Sequence, residues 1–166
     1  MKCTKTVKWL YRNEENFSWQ SNLKVNQDYV FRDKKGKIRL IIGDDGKLTI
    51  TQGYTWNGCS PKICILDLFI GTPDGAVYAP TGKPKTYYAS MVHDALYQFL
   101  DAEVPITRAQ ADKCFLQLME DSEFILSGMY WFAVHAFGHL FWKGKRKARQ
   151  WRGEAISVKS LYPSNR

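Results

Sequence analysis

Four residues have the types and spacing of an acid–base centre: His93, Asp94 and Tyr97 in one predicted helix, and Asp112 in the next. His93 and Tyr97 are four apart and share a helix face. Asp94 points about 100° away from His93 at ~3.6 residues per turn. One helix therefore presents a base and a carboxylate in different directions. Between His93 and Asp112 there is room for two helical turns, a reversal and one turn back. An antiparallel helix pair then brings Asp112 beside His93. A carboxylate on one imidazole nitrogen fixes the tautomer and stabilises the imidazolium, which makes His93 a better general base. The same pair also serves as a hydrogen-bonded tie between helices, because buried polar groups need partners. The spacing leaves both roles open.

His135 and His139 are four apart on a third predicted helix, a spacing that binds zinc from one face. With His93 they make three imidazoles. No acidic residue lies between them and Ala136-Phe137-Gly138 is apolar, which suits hydrogen-bonded structural histidines equally. Asn57, between Gly53 and Gly58, offers a neutral oxygen where glycines allow backbone carbonyls to turn inward. It also suits an Asx-type turn without any ligand.

The elements that must position these residues fall into two halves. Val7–Tyr11, Asp28–Arg32, Lys37–Ile42 and Lys47–Thr51 read as strands, with Gly43-Asp44-Asp45-Gly46 as a hairpin turn. Residues 53–85 read as a long Gly- and Pro-bearing connection, within which Ile63–Ile70 is a short helix or a buried strand. Thr86–Asp101 has apolar residues at helical spacing. Thr107 and Gln110 form a capping box that opens a helix running to Glu120. Phe124–Trp142 is a third helix without a formal charge, readable as a core helix, an interfacial helix or a membrane span. No internal repeat or low-complexity tract is evident.

The chain has 166 residues, 45% hydrophobic and 24% charged, which suits one globular domain and excludes a disordered or collagen-like chain. Its net charge of +8 is uneven. Residues 1–142 are nearly neutral, whereas 143–166 hold eight basic residues and one acidic residue. The run Lys143–Arg152 lies beside Phe141, Trp142 and Trp151 and suits an anionic phospholipid surface or a phage or host protein. It also suits a phosphate backbone, although no nucleic-acid motif accompanies it. A solvated basic tail is the plain alternative. Cys3, Cys59, Cys64 and Cys114 are scattered without a CxxC, so the thiols read as reduced and a cysteine zinc site is not expected. The N-terminus has no signal-peptide stretch, pointing to synthesis in a bacterial host cytoplasm, with virion incorporation open.

Two resemblances bear on these residues. His93-Asp94-x-x-Tyr97 followed by Ala111-Asp112-Lys113-Cys114-Phe115 resembles the two-helix core of secreted and bacterial phospholipases A2. That resemblance implies His93 as the base activating water, Asp112 as its orienter, Tyr97 as support for Asp112 and Asp94 as a calcium ligand. It covers about 25 residues, and the chain lacks the Gly-rich, Cys-rich calcium loop. A broader resemblance covers residues 48–142. Gly53-Tyr54-Thr55-Trp56-Asn57-Gly58-Cys59-Ser60-Pro61-Lys62, Ser90–Tyr97, Arg108–Phe115 and Tyr130–Trp142 are similar to four ordered blocks of a phage and prophage domain family without an assigned activity. Asn57 stands where that signature has Asp.

The expectation is an α+β fold, with N-terminal antiparallel hairpins followed by a three-helix core carrying the His–Asp pair. A single domain spans 1–142, and a basic segment follows at 143–166. Two functions are expected from different classes. One is a phage- or prophage-encoded virion or infection-stage binding protein without enzymatic activity. The other is a metal-dependent, phospholipase A2-like lipid esterase, with His93, Asp112 and Tyr97 catalytic and Asp94 and Asn57 holding Ca2+.

Overall fold

The computed structural model describes residues 11–33, 35–58, 77–99 and 106–136, and the backbone alone of Ile63–Ile65, Leu68–Ile70, 137–145 and Arg152–Glu154. The fold is α+β, with antiparallel sheets first and three helices after them.

The main sheet is built from β2 (Phe17–Gln20), β3 (Tyr29–Arg32), β4 (Ile38–Ile42), β5 (Lys47–Ile50) and β11 (Arg152–Glu154), in the order β11-β3-β4-β5-β2, all antiparallel. Strand alternation decides its core face. Phe17 lies opposite Ile50 and Ile50 opposite Leu40, while Trp19 lies opposite Leu48 and Leu48 opposite Ile42. These cross-strand rows form one apolar face, on which Phe31, Leu40, Ile42, Leu48 and Ile50 are buried. On the other face Ser18 pairs with Thr49, and their hydroxyls bond at 2.9 Å.

The β4–β5 turn needs glycine at position 46. Gly46 has φ 85°, and a Cβ there would meet the Leu23 and Ser21 carbonyl oxygens at 2.5 and 2.8 Å. The turn closes by Gly46 N–H donating to Gly43 O and Gly43 N–H donating to Lys47 O, both at 2.9 Å.

Short strands occupy what reads in sequence as a long connection. β1 (Tyr11–Arg12) pairs β6 (Thr55–Trp56), β7 (Ile63–Ile65) pairs β8 (Leu68–Ile70), and β9 (Val77–Tyr78) pairs β10 (Lys83–Pro84). Of the two readings for Ile63–Ile70, the strand is the one adopted, as a hairpin. The expected strand Val7–Tyr11 is seen only in its last residue, because residues 1–10 lie outside the described residues. β2 is an element the sequence reading lacks.

The helices are α1 (Tyr87–Phe99), α2 (Arg108–Asp121) and α3 (Ser127–Lys145). α1 lies on the sheet: Phe99 packs on Phe31 at 5.0 Å between ring centroids, and Tyr88 stacks on Phe17 at 4.3 Å. Ala89, Val92, Leu96 and Phe99 are buried as their spacing predicts, while Leu100 and Asp101 lie outside the described residues. The capping box at α2 is present, with Gln110 N–H donating to Thr107 Oγ1 at 3.2 Å and Thr107 N–H donating to Gln110 Oε1 at 2.8 Å.

α3 departs from an all-round apolar core helix. Tyr130 and Val134 are buried, yet Met129 and Phe132 are exposed. Among the described residues, no helix is long and apolar enough to cross a membrane. The boundary expected after residue 142 falls inside α3, and the chain beyond rejoins the sheet at β11. The rest of the Lys143–Arg152 run lies outside the described residues.

Candidate functional site

Asp112 occupies the junction of the three helices, with its side chain at 0% exposure. Oδ1 receives His93 Nε2 at 3.1 Å and the Tyr97 hydroxyl at 2.5 Å, both from α1. Oδ2 receives His135 Nδ1 at 3.1 Å from α3. Antiparallel packing of α1 and α2 therefore brings together His93, Tyr97 and Asp112, as their spacing requires. His135 joins them, which agrees with the hydrogen-bonded reading of that histidine, although the sequence does not name Asp112 as its partner. The His139 side chain lies outside the described residues, and among those residues no group of three or more His, Cys, Asp and Glu can hold a metal ion.

Burial pushes the Asp112 carboxyl up. The bonds from His93 and Tyr97, the His93 charge and the bond from His135 outweigh it and hold the carboxyl below its ordinary 3.8. An ionised carboxylate only accepts, so both imidazoles must donate to it. In the neutral ring His93 carries its proton on Nε2 and leaves the Nδ1 lone pair open, while His135 carries its proton on Nδ1 and leaves Nε2 open. Among the described residues His93 Nδ1 has no hydrogen-bond partner. Burial first, then the Asp112 bond and charge, raise the Tyr97 phenol well above 10.0 against the opposing Arg108. Tyr97 is thus a fixed donor and not an acid at neutral pH.

The two imidazoles differ in access. The His93 side chain is 11% exposed and lies against Tyr97 and Phe115, with centroids at 4.1 and 4.9 Å. The His135 side chain is 42% exposed and stacks on Trp131 at 5.1 Å. Arg108 Nη1 donates to the His135 carbonyl at 3.1 Å, tying the start of α2 to α3.

None of the family models, curated proteins or solved structures compared with the chain matches it.

A second polar group lies along α1. Trp56 Nε1 donates to Ser90 Oγ at 3.1 Å, docking the Tyr54–Gly58 segment on α1 one turn before Asp94. Burial, then the charge of Asp94, raises the Tyr54 phenol well above 10.0, which puts the carboxylate within electrostatic reach of that hydroxyl. Among the described residues, the Tyr54 hydroxyl and Asn57 Oδ1 are both buried without a hydrogen-bond partner. Buried polar atoms are normally paired, so an orphaned carbonyl oxygen marks a place for a donor or a cation. The oxygen character of Asp94 and Asn57 fits a hard cation of the calcium type and not zinc. Two side-chain oxygens are few for calcium, so backbone carbonyls or water must complete such a site. Tyr54 has no mark in the sequence beyond its neighbours.

Cys114 is a free, buried thiol in α2, pushed up to about 12 by burial. It is inert at neutral pH. The Cys3, Cys59 and Cys64 side chains lie outside the described residues.

Proposed function

We propose that the chain is a phage- or prophage-encoded hydrolase in which His93 is the general base, acting on a lipid ester in the manner of phospholipases A2. The observation that carries this reading is the Asp112 cluster. A buried, ionised carboxylate holds His93 in the tautomer that leaves Nδ1 open. Replacing buried ion clusters by apolar packing commonly leaves stability unchanged or raises it, so such a cluster is a weak stability device and supports reading the place as a functional site. His93 Nδ1 takes a proton from the attacking water. Asp112 stabilises the resulting imidazolium, and Tyr97 holds Asp112. The His93 imidazolium returns the proton to the leaving alcohol as the acyl–oxygen bond breaks. Asp94 and Asn57 are the oxygen-bearing residues that would hold a hard cation, which when bound would supply Lewis-acid polarisation of the ester carbonyl.

The test is fatty-acid release from phospholipid vesicles in calcium. Wild-type protein releases fatty acid, and His93→Gln lowers the rate ~10²–10⁴-fold, the usual worth of a positioned general base. No release by wild type, or equal release by His93→Gln, overturns the reading.

One observation favours a second reading, a virion or infection-stage binding protein. Asp112 receives donors from both other helices and His93 is nearly sealed, as expected of a polar staple. In that case His93→Ala lowers stability by ~1–3 kcal/mol, the cost of unpaired buried groups, and no substrate is turned over.

A further inference from the structure

The donors on Asp112 are divided unequally between its two oxygens. Oδ1 takes two from α1, His93 Nε2 at 3.1 Å and the Tyr97 hydroxyl at 2.5 Å. Oδ2 takes one from α3, His135 Nδ1 at 3.1 Å, and among the described residues no other hydrogen bond reaches it. The last torsion of an aspartate is broad and roughly two-fold. Donors gathered on one oxygen therefore leave the carboxylate plane free to swing about that oxygen. A donor on the other oxygen, from a different helix, fixes the plane. His135 is itself held. Its ring stacks on Trp131, one turn earlier, with 16° between the planes. Arg108 Nη1 donates to its carbonyl at 3.1 Å, and the neighbouring Tyr130 and Val134 are buried. An imidazole that is 42% exposed can satisfy its nitrogens with water. Its own solvation does not require the contact with Asp112, and holding a side chain there costs rotamer freedom.

We propose that His135 is a positioning residue for the acid–base centre, acting on His93 through Asp112. By fixing the carboxylate plane from α3, it keeps Oδ1 in line with His93 Nε2–H. That holds His93 in the tautomer whose Nδ1 is able to take a proton. His135 touches no reacting atom in this role. The inference deepens the hydrolase reading and rests on it for its rate readout, whereas its spectroscopic readout does not. Two substitutions separate the donor from the ring. In Asn the Nδ2 amide hangs from Cγ as the imidazole Nδ1 does, and it donates. Phe keeps a ring for Trp131 and has no donor.

Two measurements on the full chain test it. One is fatty-acid release from phospholipid vesicles in calcium. The other is the downfield proton NMR signal of His93 Nε2–H, identified by its absence in His93→Gln. His135→Phe is expected to lower kcat ~10–100-fold with KM unchanged, the loss usual when a hydrogen bond that orients a working side chain is removed. It is also expected to weaken the His93 signal through exchange with water. His135→Asn is expected to keep both rate and signal. His135→Ala, which also lacks the donor, takes the place of a Phe variant that does not fold. A Phe variant with unchanged rate and signal overturns the proposal. An Asn variant that loses as much as Phe also overturns it, because the ring and not the donor is then the cause. A wild type without the His93 signal does so as well, since an imidazole proton that is not held exchanges with water. If the wild type releases no fatty acid, the hydrolase reading falls and the signal alone decides. A signal kept in Asn and weakened in Phe then upholds the positioning role, and one equal in all three proteins overturns it.

Discussion

On its core face the sheet buries Phe31, Leu40, Ile42, Leu48 and Ile50, all apolar, and the polar side chains around its turns are bonded. Ser21 Oγ donates to Gly46 O, and Asn13 Nδ2 donates to Ile50 O. Across the core, the helical layer buries the Asp112 carboxylate at 0% exposure, and among the described residues the Tyr54 hydroxyl and Asn57 Oδ1, on the segment docked against α1, have no hydrogen-bond partner. Among the described residues, the unpartnered buried atoms and the buried carboxylate lie on the helical side. The sheet is held by apolar rows and paired polar groups, whereas the α1 neighbourhood buries charge and unpartnered polar atoms.

The largest effect comes from removing the centre of that neighbourhood. Asp112→Ala leaves two imidazoles and a phenol without their acceptor. Destabilisation of ~3–5 kcal/mol is expected, as for breaking one side of a buried ion pair. Denaturant unfolding followed by circular dichroism reads it. A loss under 1 kcal/mol would mean that the cluster is reached by water and is not the buried centre that its exposure indicates.

Gly46→Ala is the matching change in the sheet. Holding a non-glycine residue at φ 85° costs ~1–3 kcal/mol, and the contacts at 2.5 and 2.8 Å force the turn to shift. The effect belongs to the β4–β5 hairpin, so under the proposed hydrolase reading the per-molecule rate of fatty-acid release stays unchanged below the melting temperature. A rate that falls with stability would show that the two regions are not separable.

Both regions hold a carboxyl below its ordinary value, Asp33 between β3 and β4 and Asp112 in α2. The folded Asp112 carboxyl lies below 3.8. Its contribution is therefore complete above the unfolded value and is lost as pH falls through the folded one. The Tyr97 phenol lies above 10.0, so its contribution is complete below that value and is lost as pH rises. Melting curves should show wild-type stability falling below about pH 4, with Asp112→Asn showing a shallower fall over the same window. Parallel curves would remove Asp112 as the cause.

What could be read from sequence is what local spacing determines. The Thr107–Gln110 capping box and the Gly43–Gly46 turn each have both partners within four residues. The set His93, Tyr97 and Asp112 follows from two helices and one reversal. Other features depend on where the chain returns in space. β2 is only four residues, Phe-Ser-Trp-Gln, and becomes a strand through its pairing with β5. His135 reaches Asp112 only because the turn at Glu123 sets the direction of α3, which no residue spacing specifies. The uncharged run of α3 suggests full burial, and that same turn leaves Met129 and Phe132 outside.

The smallest change addresses the orphaned polar atoms. Tyr54 is 3% exposed, and its ring packs near Trp56 at 6.1 Å. Tyr54→Phe keeps that ring and deletes a hydroxyl that has no partner. Removing an unsatisfied buried group returns its desolvation cost, so stability should rise by about 1 kcal/mol. A melting-temperature rise with unchanged catalysis would make the hydroxyl a passive cost of burying the loop against α1. A rise with reduced turnover and weaker calcium dependence would instead tie the hydroxyl to Asp94 and make it part of the site. A fall in stability would mean that the hydroxyl is bonded after all, and the contrast between the sheet and the α1 neighbourhood would then rest on Asp112 alone.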